Sequence, residues 1–91
     1  MQGKTEIREF LQGLLTSYGD SAPFHDSEPL LSDGRLQSID AVEIVMFLEQ
    51  KFGVDFATIG FDRDRIDSVD AITDLVESFK SGDKRSEQPS R

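Results

Sequence analysis

The chain has no cysteine and no tryptophan, one tyrosine, one histidine and three prolines in 91 residues. Without cysteine there is no disulfide framework, no thiolate metal site and no cysteine nucleophile, so any thiol chemistry has to be brought in from outside. The lone histidine, His25, has no second ligand or nucleophile recognisable beside it and is read as a surface loop residue. No apolar N-terminal run resembles a signal peptide and no stretch is long enough to cross a bilayer, which makes a soluble, cytoplasmic, monomeric protein the expectation. Positive charge is scarce as well: 10 Lys and Arg against 18 Asp and Glu leave a net charge of −8. The excess is concentrated in residues 37–79, which hold three bases and ten acids. Such a field repels nucleic acid and anionic membranes and raises encounter rates with proteins that carry basic patches.

What is present is helical periodicity. Ile7, Phe10, Leu11, Leu14, Leu15 and Tyr18 recur at the spacing of one amphipathic helix from Thr5 to about Tyr18, ended by Gly19. From Gly19 to Leu36 there is no period of either kind. That long loop carries Pro23, Pro29 and Gly34, with Phe24, Leu30, Leu31 and Leu36 as apolar anchors able to pin it across a bundle. A second helix opens at Ser38, read as its N-cap, with Asp40 and Glu43 where the helix dipole favours negative charge, and runs to Phe52 before Gly53. After an irregular stretch with Val54, Phe56, Ile59 and Phe61, a short helical turn is expected near Asp62 to Arg65. Val69, Ile72, Leu75, Val76 and Phe79 then form the single stripe of a last helix capped by Ser68 and closed by Gly82. The resulting expectation is an all-α fold, a small four-helix bundle of three longer helices and one short, with a long first loop. Residues 1–82 form one domain and 83–91 a flexible tail.

The second helix differs from the others in showing two apolar stripes. Ala41, Ile44, Val45, Leu48 and Phe52 suit a core, and Ile39, Val42 and Met46 form a narrower set rimmed by Glu43, Glu49 and Gln50. A small domain offers a helix one core to cover, so the narrow stripe is expected to face solvent beside Ser38 as a docking surface. The acids Asp62, Asp64, Asp67 and Asp70 lack the glycine and terminal glutamate of a calcium loop, and no metal is expected there.

The run Ser38-Ile39-Asp40-Ala41-Val42-Glu43-Ile44-Val45-Met46-Phe47-Leu48-Glu49-Gln50-Lys51-Phe52 resembles the modification site and second helix of acyl carrier proteins. In that family a serine after aspartate is esterified with 4′-phosphopantetheine; here Ser38 is the matching position and Gln37 stands where the aspartate is usual. Asp67-Ser68-Val69 looks superficially closer to the family's Asp-Ser-Leu, but too little chain follows Ser68 to complete a bundle around it. The resemblance spans about Thr5 to Phe79. Gly34, four residues before the serine, and Phe61-Asp62-Arg63 are similar to D-alanyl and other aminoacyl carrier proteins.

The resemblance implies that Ser38 Oγ attacks the β-phosphate of coenzyme A on a phosphopantetheinyl transferase. The arm so attached ends in a thiol that carries acyl or aminoacyl groups as thioesters, as in fatty acid biosynthesis. The partners implied are that transferase, a loading ligase, and a downstream transferase or synthase with basic docking patches. Gln37, Ile39, Asp40, Val42, Glu43, Met46 and Glu49 would form the surface they meet. The chain would be a substrate and shuttle without catalytic residues of its own. The other reading of the same residues is an acidic helical adaptor without a prosthetic group, its exposed stripe filling a partner's groove and Ser38 serving only as a cap. Phe10, Phe24, Phe52, Phe56, Phe61 and Phe79 are expected core residues, and so many bulky fillers leave little interior room, which favours short cargo.

Overall fold

The computed structural model describes residues 2–87. The fold is all-α, with no strand among those residues: α1 is Gln2–Ser17, α2 Ser38–Phe52, α3 Phe56–Ile59 and α4 Val69–Glu87, and a 3₁₀ turn covers Arg63–Ile66 between α3 and α4. α4 packs on α1 and on the 3₁₀ turn, which also touches α2. The buried centre is aliphatic: Ile7, Leu11 and Leu15 of α1, Ile44 and Leu48 of α2, Ile66, and Val69, Ile72, Leu75 and Val76 of α4. All but Ile66, which belongs to the 3₁₀ turn, come from the apolar stripes that helical spacing predicts. Aromatic rings form a rim: Phe10 and Phe47 stack with centroids 4.2 Å apart and rings 8° from parallel, and Phe52 meets Phe47 edge-on.

Helix ends follow local chemistry. Gly19 sits at φ +78°, and N–H groups of Gly19 and Asp20 return to the carbonyls of Thr16 and Leu15 at 2.8 and 3.0 Å, the pairing of a Schellman end that L-residues with a Cβ rarely adopt. Gly53 closes α2 in the same left-handed region. Ser68 caps α4, its Oγ accepting the Ala71 N–H at 3.0 Å.

Four expectations are corrected. Ser38 is the first helical residue of α2, not its cap: Gln37, with extended dihedrals, holds the N-cap position. The stretch after Gly53 contains a true turn of α-helix, α3, because the Asp55 carboxylate takes the Ala57 N–H and the Thr58 hydroxyl. Phe61, expected in the core, is 57% exposed. And α4 continues through Gly82 to Glu87; an interior glycine costs a helix only about 1 kcal/mol relative to alanine. Of the expected tail, residues 88–91 lie outside the described residues.

The long connection from Gly19 to Gln37 is tied down along its length. Phe24, Leu30, Leu31 and Leu36 are all buried, as their apolar character in a polar loop suggests. Arg35 grips the first half: Nε and one terminal nitrogen hold the two oxygens of Asp20 at 3.0 and 3.1 Å, and the other terminal nitrogen holds Glu28 at 2.9 Å. It also donates to the carbonyls of Ala22 and Pro23. Arg8 of α1 reaches the Phe24 carbonyl and Asp26 while lying 4.6 Å above the Phe24 ring. The second half is held by Asp67, whose carboxylate accepts the N–H groups of Leu31 and Ser32 at 2.7 and 3.1 Å and the Ser32 hydroxyl. The loop therefore delivers its last residue, Gln37, to one fixed place at the start of α2.

Candidate functional site

The first turn of any helix has backbone N–H groups without intrahelical partners, and α2 satisfies one of its own with Asp40. Asp40 is the third residue of the helix, and its Oδ2 reaches back to the Gln37 N–H at 2.8 Å. The same oxygen accepts the Tyr18 hydroxyl at 2.7 Å. Asp40, with these two donors on one oxygen, is only 4% exposed. Asp40 therefore does not belong to the solvent-facing set in which its charge placed it: a carboxylate at that helical position turns inward when backbone donors lie behind it. The contact works on Tyr18 in return. Hydrogen bonding to Asp40, then loss of solvent, then the carboxylate's charge hold the phenol above its usual range.

Ser38, the first residue of α2, is exposed, and its hydroxyl makes no hydrogen bond to the protein among the described residues. From it the exposed face of α2 descends through Ile39, Val42 and Met46, which are 61%, 52% and 47% exposed. Exposed Gln37 lies above them and exposed Glu43 and Glu49 beside them. Of the residues that the sequence assigns to a partner-facing surface, all but Asp40 share this open face. The inner stripe divides as expected, with Ala41, Ile44 and Leu48 buried and Val45 and Phe52 half-buried.

Between α2 and the segment leading into the 3₁₀ turn lies a cleft of about 430 Å³ lined by Ser38, Ala41, Val42, Val45, Phe61 and Arg63. That volume is in the range of about 300–1,000 Å³ usual for small-molecule sites. Sequence reasoning missed the far wall. Phe61 and Arg63 belong to the Phe61-Asp62-Arg63 run, but an aromatic read as core hides the fact that it forms the side of an open cleft. The 3₁₀ turn places them, since the Asp62 carboxylate caps it through the Asp64 N–H at 3.0 Å.

The residues present fit a phosphopantetheine ester at Ser38. The hydroxyl is free and exposed, it sits at a helix N-terminus where unpaired N–H groups and the dipole favour a phosphate, and the adjoining cleft offers apolar walls and one guanidinium. Among the described residues no group of three or more His, Cys, Asp or Glu side chains is arranged to hold a metal, and no helix is long and apolar enough to cross a membrane. His25 is exposed on the loop.

Compared with known proteins, the chain matches no family model, no curated protein and no solved structure.

Proposed function

We propose that this chain is an acyl-carrier-like protein: Ser38 takes 4′-phosphopantetheine, and acyl or aminoacyl groups travel on it to partner enzymes that dock on the exposed face of α2. The observation that carries this reading is the placement of Ser38. It is an unengaged, exposed hydroxyl on the first residue of α2, from which an uncovered apolar stripe with acidic edges runs down the helix.

The arm, once attached, supplies a thiol, which a chain without cysteine lacks. Everything else falls to the chain's own residues. The α2 N-terminus, with its orphan N–H groups, favours negative charge at the Ser38 oxygen. Asp40, drawn inward by Tyr18 and Gln37, keeps its carboxylate from facing that charge across solvent. Ile39, Val42 and Met46 give a partner an apolar strip to cover, and Glu43 and Glu49 steer it when its own patch is basic. The interior, built on α1, α2 and α4, packs behind this face.

The alternative is an acidic adaptor that uses the same stripe and carries no prosthetic group. Intact mass after co-expression with a panel of phosphopantetheinyl transferases separates the two. The carrier gains the mass of one phosphopantetheine, and the adaptor gains nothing with any transferase.

A further inference from the structure

The cleft beside Ser38 has walls of one kind and a charge of one sign. Ala41, Val42, Val45 and Phe61 make it apolar, and the single charged residue in its lining is Arg63. Lys4, Arg8 and Arg35 are each held by carboxylates at 2.5 to 3.3 Å, whereas Arg63, like Lys51 and Arg65, joins no ion pair among the described residues; of these three it alone lines the cleft. Its one hydrogen bond goes to the Leu31 carbonyl at a long 3.4 Å, which leaves most of its five N–H donors unused. The neighbouring Asp62 is engaged in capping the 3₁₀ turn. A guanidinium without a carboxylate, at the edge of an apolar cleft, is complementary to an apolar chain whose end is anionic, and it opposes one whose end is an ammonium.

We propose that Arg63 makes this cleft selective for an apolar chain that ends in a carboxylate. The chain lies against Val42, Val45 and Phe61, and the carboxylate meets the guanidinium. As a statement about cargo this rests on the carrier reading: the thioester uses one end of the acyl group, so the favoured cargo carries a second carboxylate at its far end. It then goes against the aminoacyl cargo that Gly34 and Phe61-Asp62-Arg63 suggest by resemblance, because a free ammonium in this cleft faces Arg63. The many phenylalanines do not decide the matter as the sequence implies, since Phe61 lines the open cleft instead of filling the core.

The test uses the unmodified full chain and three probes of equal length: monomethyl adipate, dimethyl adipate and methyl 6-aminohexanoate. Each has a neutral ester at one end, and the other end is anionic, neutral or cationic. Amide shifts followed during titration by NMR are expected to map to Ala41, Val42, Val45, Phe61 and Arg63. The half-ester should bind about two- to fivefold more tightly than the diester, the span that an exposed ion pair provides, and the amino ester more weakly than the diester. Arg63→Gln should erase the order and Arg63→Lys should keep it. Equal binding of all three, an order that survives Arg63→Gln, shifts centred elsewhere, or no binding by any probe would each overturn the proposal. None of these outcomes depends on Ser38 being modified, so failure here is distinct from failure of the carrier reading, which the intact mass decides.

Discussion

The Tyr18 hydroxyl donates a 2.7 Å hydrogen bond to Asp40 Oδ2, joining the residue just after α1 to the first turn of α2 across the whole intervening loop. This bond sets the direction of the Asp40 carboxylate and so decides what the first turn of α2 shows to solvent. Tyr18 is the only tyrosine and there is no tryptophan, so its ionisation can be followed cleanly by absorbance. The phenol should titrate above its ordinary value of about 10, chiefly because Asp40 accepts its proton in a hydrogen bond. Asp40→Ala, which removes both the acceptor and the charge, should bring it back down. Because the folded value is raised, the contact's stabilisation is fully present below about pH 10 and is lost as pH rises through the raised value. A wild-type phenol that titrates no higher than in the unfolded chain would contradict the geometry.

Acid should release the other end of the loop. Hydrogen bonds from Arg35 are the main cause holding Asp20 and Glu28 below the usual carboxylate range, with the Ala22 N–H assisting at Asp20 and that of His25 at Glu28. Lowered folded values mean that the stabilisation is complete above the unfolded values near 4 and disappears as pH falls through the lowered ones. Thermal unfolding recorded from pH 6 down to 2 should therefore show a falling midpoint. Arg35→Gln should flatten part of that fall and leave the part due to Asp26, which depends on Arg8 and Lys4. An unchanged pH profile in Arg35→Gln would show that the clamp does not operate in solution.

The two serines at helix starts should differ in what they do for stability. Ser68 accepts the Ala71 N–H as a cap, so Ser68→Ala should cost about 0.5–2 kcal/mol in denaturant unfolding. Ser38 lies inside α2 with an unbonded, exposed hydroxyl, and Ser38→Ala should stay within about 0.5 kcal/mol of wild type. Equal losses would mean that Ser38 caps α2 after all.

Much of this was legible in the residues. The stripes of α1, α2 and α4 follow the helical period, Gly19 and Gly53 end helices where left-handed dihedrals are needed, and the exposure of Ile39, Val42 and Met46 follows from α2 having one more apolar stripe than a core can cover. What was not legible depended on contacts distant in sequence. Periodicity assigns Asp40 to the surface because it is charged, and only the position of Tyr18, 22 residues away, shows why it turns inward. Phe61 is the converse case: its apolar character assigns it to the core, yet it is 57% exposed. α3, at four residues, is too short to establish a period, and its signal was the Asp55 cap. The Arg35 clamp joins partners 7 and 15 residues away within a loop that has no pattern to follow.

The open face of α2 should govern how fast partners act. Charge reversal at Glu43 or Glu49, or Met46→Ala, should slow turnover by a docked enzyme without unfolding the chain, since all three side chains are exposed. Leu48→Ala, on the buried side of the same helix, should instead cost about 2–5 kcal/mol of stability. The two charge effects should weaken as salt rises, because the screening length is about 8–10 Å near physiological ionic strength. Kinetics unchanged in all three surface variants would remove the docking role from this face.

The most direct measurement is intact mass, with peptide mapping, of wild type, Ser38→Ala and Ser68→Ala after exposure to a phosphopantetheinyl transferase and coenzyme A. Wild type and Ser68→Ala should each carry one phosphopantetheine, located at Ser38, and the folded Ser38→Ala protein none. A wild-type chain that stays unmodified with every transferase tried, or a group found at Ser68, would contradict the carrier reading at Ser38.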